Sequence, residues 1–91
     1  MYILKPTTQF KKDYKLCQKR GCNMNKIQAV FRILQSGEAI PEEYHDHALK
    51  GKYKDCRDLH IEPDWLLIYK IEDNIIVLLT ATGSHSDLFK K

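Results

Sequence analysis

Proline and glycine are scarce in this 91-residue chain, with three and four copies, and no repeated or low-complexity segment interrupts it; disordered linkers and collagen-like repeats are excluded. Long apolar runs are also missing. The longest aliphatic run, residues 75–79, falls far short of the roughly 20 residues that cross a bilayer as a helix. The opening Met1-Tyr2-Ile3-Leu4-Lys5-Pro6 lacks a basic stretch followed by an apolar one, so no secretory signal is expected and the chain is expected to act in the cytoplasm. Cysteine is sparse and odd in number. Cys17, Cys22 and Cys56 cannot all pair within one chain, which points to reduced thiols, and Cys17 with Cys22 lacks the second Cys or His pair of a zinc site.

Acidic residues are nearly absent from the first third. Residues 1–35 hold eight Lys or Arg against Asp13 alone, whereas residues 36–91 hold seven against eleven acids, within a net charge of +3. Lys11, Lys12, Lys15, Lys19, Arg20, Lys26 and Arg32 are therefore candidates for a basic face that meets a polyanion such as nucleic acid; the plainer reading is a solvated helix exterior. With 43% hydrophobic and 30% charged residues in 10.7 kDa, the chain is expected to build one domain, residues 1–91, around one efficient core.

Tyr2, Ile3 and Leu4 favour a short strand closed by Pro6. Thr7 or Thr8 then caps a helix carrying Phe10, Tyr14 and Cys17 at helical spacing, and Gly21 stops it. Asn23 caps a second helix with Met24, Ile27, Phe31 and Leu34 in a stripe that ends at Gly37. After Pro41, residues 42–47 are polar and without period, which predicts a loop. Residues 53–61, 65–71 and 75–82 read as three strands whose short joins permit only antiparallel neighbours, the middle one apolar on both faces. The fold class is α+β: β-α-α-β-β-β, a helical hairpin packed on a mainly antiparallel sheet, with a short C-terminal turn or helix.

All four histidines, His45, His47, His60 and His85, fall in the strand half, close in sequence to Asp46, Asp58, Asp64 and Asp87. Asp58 and His60 are two apart in a strand and so share a face, one that helices are not expected to cover. His47 precedes that strand and His85 comes after the last one, a placement that lets loop and strand-end residues converge. Each histidine taken singly also fits a solvated surface residue. Two chemistries suit the group. One is metal binding through His45, His47, His60 and His85, although no strong metal spacing is present. The other is acid–base catalysis on RNA: one imidazole removes the 2′-OH proton, a second protonates the 5′-oxygen, and Arg57 or a lysine stabilises the phosphorane, with no metal or other cofactor.

Three blocks carry a resemblance: Asp46-His47-Ala48-Leu49-Lys50-Gly51, then residues 57–69 from Arg57-Asp58-Leu59-His60 to Tyr69, then Gly83-Ser84-His85-Ser86-Asp87-Leu88-Phe89. In order and spacing they resemble the YafQ branch of the RelE/ParE toxin superfamily, and the likeness extends through Phe10-Lys11-Lys12-Asp13 and Met24-Asn25-Lys26 to nearly the whole chain. The resemblance implies a RelE-like fold and a bacterial type II toxin, an endoribonuclease that cleaves mRNA in the ribosomal decoding site without metal. It implies as partners the ribosome, mRNA and a DinJ-like antitoxin, the last in a heterotetramer, and no membrane. Positions matching functional residues are His47, Asp58, His60, Asp64, His85 and Phe89. His47 or His60 is then the general base, His85 the general acid, Asp64 an orienting carboxylate, and Phe89 a surface for an RNA base; a C-terminal core anchor is the other reading of Phe89. Arg57 binds phosphate or pairs with Asp58, and Lys11, Lys12 and Lys15 gain a role in meeting ribosomal RNA. Cys56, where relatives often carry an aromatic residue, and Lys90 and Lys91, past the usual end, depart from the pattern. The rival reading is a ParE-like toxin that inhibits a protein such as gyrase, which the histidine cluster argues against.

Overall fold

A computed structural model describes residues 2–89; Lys90 and Lys91 lie outside the described residues. Strand β1 (Ile3–Pro6) ends at its proline, and the extended Thr7 accepts the Phe10 amide on its hydroxyl to start α1 (Thr8–Lys19). Asn23 does the same for α2 (Met24–Ser36), accepting from the amide of Asn25. Gly37 ends α2 at φ 76°, where a Cβ would also come within 2.8 Å of the Tyr2 ring; backbone and packing both demand glycine. The buried stripe of α2 is Ile27, Val30 and Leu34, with Met24 and Phe31 half-buried beside it.

Strands β2 (His47–Ala48), β3 (Arg57–Glu62), β4 (Trp65–Glu72) and β5 (Ile76–Gly83) complete a sheet ordered β1-β5-β4-β3-β2. β1 runs parallel to β5 and every other pairing is antiparallel. The short α3 (His85–Phe89) comes last. The predicted order holds, with two differences. The segment read as a loop contains a 3-10 turn, Glu42–Tyr44, and the two-residue edge strand β2. The strand expected from residue 53 begins at Arg57, because Gly51–Tyr53 forms a second 3-10 turn and Asp55 takes φ 69°, which no strand accommodates.

Both sheet faces carry an apolar cluster. Leu59, Ile61, Trp65, Leu67, Tyr69, Val77 and Leu79 meet Phe10 and Cys17 of α1 and Ile27, Val30 and Leu34 of α2 in the main core. A smaller cluster on the other face joins Cys56, Leu66, Ile68, Ala81 and Leu88, with Leu49 and Tyr53 against it. β4 thus buries Leu66, Leu67 and Ile68 completely, each worth about 1.5–3 kcal/mol of transfer free energy. Cys56 fills a small apolar site there.

A bulge near the end of β5 redirects the strand toward the histidine-bearing face. Tyr69 pairs with Leu79 but Ile68 with Ala81, so Thr80 is the extra residue and Leu79 and Ala81 belong to clusters on opposite faces. Thr82 then turns its hydroxyl inward, accepting from Trp65 Nε1 at 3.0 Å and donating to the Leu66 carbonyl at 2.6 Å. Asp13 of α1 accepts the Thr82 amide at 3.1 Å. These bonds fix the strand end that leads through Ser84 into His85. No helix among the described residues is long and apolar enough to cross a membrane.

Candidate active site

Strand alternation places Asp58 and His60 on the sheet face away from α1 and α2, since Leu59 and Ile61 between and beyond them enter the main core. β2 pairs His47 with Asp58, and β4 sets Ile68 opposite Asp58 and Leu66 opposite His60. Leu66 in turn pairs with Gly83, two residues before His85. The register alone therefore brings one segment of each of four strands to a common patch.

Within it, His47 Nε2 lies 3.7 Å from one carboxylate oxygen of Asp58 and His60 Nε2 lies 3.5 Å from the other. The rings continue across the face, His47 to His60 at 6.1 Å and His60 to His85 at 5.7 Å between centroids. His47 Nδ1 donates to the His45 carbonyl at 2.9 Å, which leaves Nε2 of the neutral ring with its lone pair turned toward the site. His45 reaches this position through a left-handed backbone at φ 49°, and its ring stands 5.8 Å from that of His60.

Asp58 is 3% exposed, and its Oδ1 has no hydrogen-bond partner. Burial pushes its carboxyl above the ordinary carboxylate range; His47, His60 and His85 pull the other way without overcoming that. A buried carboxylate without a donor, beside imidazoles within ion-pair reach, is poised to take up the positive charge of a ring that gains a proton.

His85 is held differently. Asp64, in the turn between β3 and β4, accepts the His85 amide at 2.9 Å and its ring Nδ1–H at 2.7 Å, and these two donors hold Asp64 below its ordinary value. Nε2 is thereby the ring nitrogen that Asp64 leaves uncommitted. The start of α3 is locked by a reciprocal pair in which Asp87 accepts the Ser84 amide and Ser84 Oγ accepts the Asp87 amide. Arg20, which caps the C-terminal end of α1, binds the same Asp87 at 2.6 Å, and with the Ser84 amide it lowers the Asp87 carboxyl to about 2. Gly83 at φ 156° leaves room for that carboxylate, which a Cβ would meet at 3.0 Å.

Residues 2–90 match the family described as bacterial toxin of type II toxin-antitoxin system, YafQ. The mRNA interferase toxin YafQ of Escherichia coli K12 is 44% identical over 82 residues, 89% of this chain and 88% of that one. This chain belongs to the YafQ toxin family. A crystal structure of YafQ from E. coli BL21(DE3) shares its fold at a TM-score of 0.90 and 39% identity, covering 98% of this chain and 99% of that one. The E. coli DinJ–YafQ complex contains a chain similar at a TM-score of 0.86 and 39% identity, over 98% and 99% of the two.

For this YafQ-family member the patch gathers His47, Asp58, His60, Asp64 and His85, with Phe89 6.4 Å from the His85 ring and 38% exposed. It does not gather the rest. Arg57 pairs with Asp46, through Nε at 2.6 Å and the guanidinium at 2.5 Å, and not with Asp58. It belongs with Leu59 and Ile61 on the other strand parity, and Tyr69 also bonds Asp46, so the cation is committed to tying the 42–48 segment down. Lys11, Lys12 and Lys15 are exposed on α1, in the helix layer across the sheet from the histidines. His45 enters through its carbonyl, a role no side-chain pattern signals; the Ser84-x-x-Asp87 spacing is a sequence signal for the cap that steadies His85.

Three ligand-type atoms of His47, Asp58 and His60 lie within 4.8 Å of one another, the one group of this kind among the described residues. The four-histidine set considered from the sequence is not what converges. Cys17 is buried, and burial, with Cys22 beside it, pushes its thiol up to about 12.

Proposed function

We propose that this protein is a ribosome-dependent endoribonuclease of a type II toxin–antitoxin system, cleaving mRNA in the decoding site by metal-independent acid–base chemistry. The observation that carries the reading is the division of one sheet face into two differently supported imidazoles: His47 beside the buried Asp58, and His85 bound to Asp64 across the patch. His47 Nε2 takes the 2′-OH proton, and the charge it gains is met by Asp58. The 2′-oxygen attacks the adjacent phosphorus, and His85 Nε2 protonates the departing 5′-oxygen, giving a 2′,3′-cyclic phosphate and a 5′-hydroxyl. His60 stands between the two and supplies donors to the phosphate oxygens. A DinJ-like antitoxin is its neutralising partner, a reading that the E. coli DinJ–YafQ complex supports, and toxin and antitoxin assemble as a heterotetramer in the cytoplasm.

The test is primer-extension mapping of mRNA on translating ribosomes with purified toxin, either untreated or stripped with EDTA and desalted before it meets the Mg²⁺-dependent ribosomes. Codon-phased cleavage undiminished by the chelator is expected. Loss of cleavage that a stoichiometric transition metal restores would transfer the chemistry to the His47, Asp58 and His60 group, whereas growth arrest without cleavage would favour a protein target of the gyrase kind. An ion on that group is expected to inhibit, because it would occupy the lone pair the base needs.

The α1 lysines face away from the scissile bond, so their expected contact is ribosomal RNA, not the cleaved message. Reversing Lys11, Lys12 and Lys15 to Glu is expected to weaken ribosome association by tenfold or more at about 0.15 M salt, with a shallower salt dependence, while the melting temperature stays put. Sedimentation with ribosomes checks this; unchanged association would return the lysines to solvation alone.

A further inference from the structure

The imidazole row does not end at His85. Its ring leads to Phe89 at 6.4 Å, and Phe89 meets Tyr53 edge to face, with centroids 5.7 Å apart and planes at 87°. The ammonium of Lys52 lies 5.3 Å from the centre of the Tyr53 ring. Tyr53 comes from the 3-10 turn that displaced the expected strand start, and it packs on the same face as Asp58 and His60, against the cluster of Leu66, Ile68 and Ala81. Beyond it opens a depression of about 440 Å³ lined by Gln9, Lys52, Tyr53, Thr80 and Ala81 among others. Both carboxylates on its wall are already engaged, Asp13 by Gln9 and the Thr82 amide, Asp87 by Arg20.

We propose that Tyr53 and Phe89 form a two-ring corner that stacks the base of the nucleotide on the 3′ side of the cleaved bond, with Lys52 meeting the next phosphate, on the far side of that nucleotide, in the adjoining depression. The inference rests on the nuclease reading, because that reading fixes the polarity. The general acid protonates the 5′-oxygen, which belongs to the 3′ nucleotide, so that nucleotide begins at His85 and continues where the rings continue. A face of one ring and the edge of the other suit any base, since stacking uses the π-face that all bases share. Tyr53 is thus a binding residue that demands a base at this position without choosing which.

The experiment compares wild type, Tyr53→Leu and Tyr53→Phe on ribosomes programmed with a defined mRNA, intact or abasic at the nucleotide 3′ of the cut. Leucine keeps an apolar side chain against Leu66, Ile68 and Ala81, so the fold survives, and phenylalanine keeps the ring. On intact mRNA, Tyr53→Leu is expected to cleave about five- to a hundredfold more slowly and Tyr53→Phe like wild type. On abasic mRNA the wild type is expected to slow and the gap between it and Tyr53→Leu to close. A gap that persists on abasic mRNA, or wild-type cleavage indifferent to the missing base, would overturn the subsite while leaving the nuclease intact. Absence of cleavage by wild type on any template would overturn the nuclease reading itself, and the subsite with it.

Discussion

His85→Gln is expected to slow single-turnover cleavage of ribosome-bound mRNA by about 10²- to 10⁴-fold, the range over which a positioned general acid acts. The substitution is chosen for the contacts it leaves in place. A glutamine amide can still donate to Asp64, the backbone amide of residue 85 keeps its bond to the same carboxylate, and the Ser84–Asp87 pair that starts α3 is untouched. The melting temperature and ribosome association are accordingly expected to match wild type, which confines the loss to proton transfer. A chemical rescue sharpens the assignment. An mRNA carrying sulfur for the 5′-oxygen at the scissile bond expels a thiolate that needs no proton, so His85→Gln is expected to recover most of its deficit there. A variant equally slow on both templates would show that His85 serves binding or orientation and not leaving-group protonation.

The elements that depend on local pattern were legible in the sequence: the caps at Thr7 and Asn23, the stop at Gly37, and the alternation that sets Asp58 and His60 opposite Leu59 and Ile61. The features that escaped depend on contacts between distant residues. β2 is two residues long, too short to show any period, and exists because Asp46 is anchored by Arg57 and Tyr69, 11 and 23 residues away. The same anchor removes Arg57 from the phosphate and from Asp58, a pairing that strand neighbours suggest and strand parity forbids. The Thr80 bulge flips the facing of β5 near its end, so counting by twos from Val77 puts Ala81 on the wrong side. Likewise the partnership of Asp64 with His85 joins a β3–β4 turn to the start of α3, two places the chain order separates by 21 residues.

Asp58→Asn is expected to stabilise the protein at neutral pH while lowering cleavage by roughly a hundredfold, the scale of losing one preorganised electrostatic group. The stability half is a matter of linkage. Burial raises the carboxyl's pKa in the folded state above its unfolded value of about 3.9, so the folded chain holds this proton more tightly and loses stability relative to the unfolded chain as pH climbs through that window. Above that window the wild type bears the penalty of burying a carboxyl whose Oδ1 has no donor; asparagine has the same shape and no charge. The variant's melting temperature is expected to exceed wild type at pH 7, and the difference to shrink as pH falls toward 4. The activity half has the opposite sign because the imidazolium formed at His47 loses the anion 3.7 Å away that receives it. Thermal melts across pH, paired with cleavage rates for both proteins, check the two halves together. A less stable variant at pH 7 would mean that the neighbouring imidazoles outweigh burial and that Asp58 holds the fold; a more stable and inactive one identifies it as a charge kept in the core for the reaction, against the interest of stability.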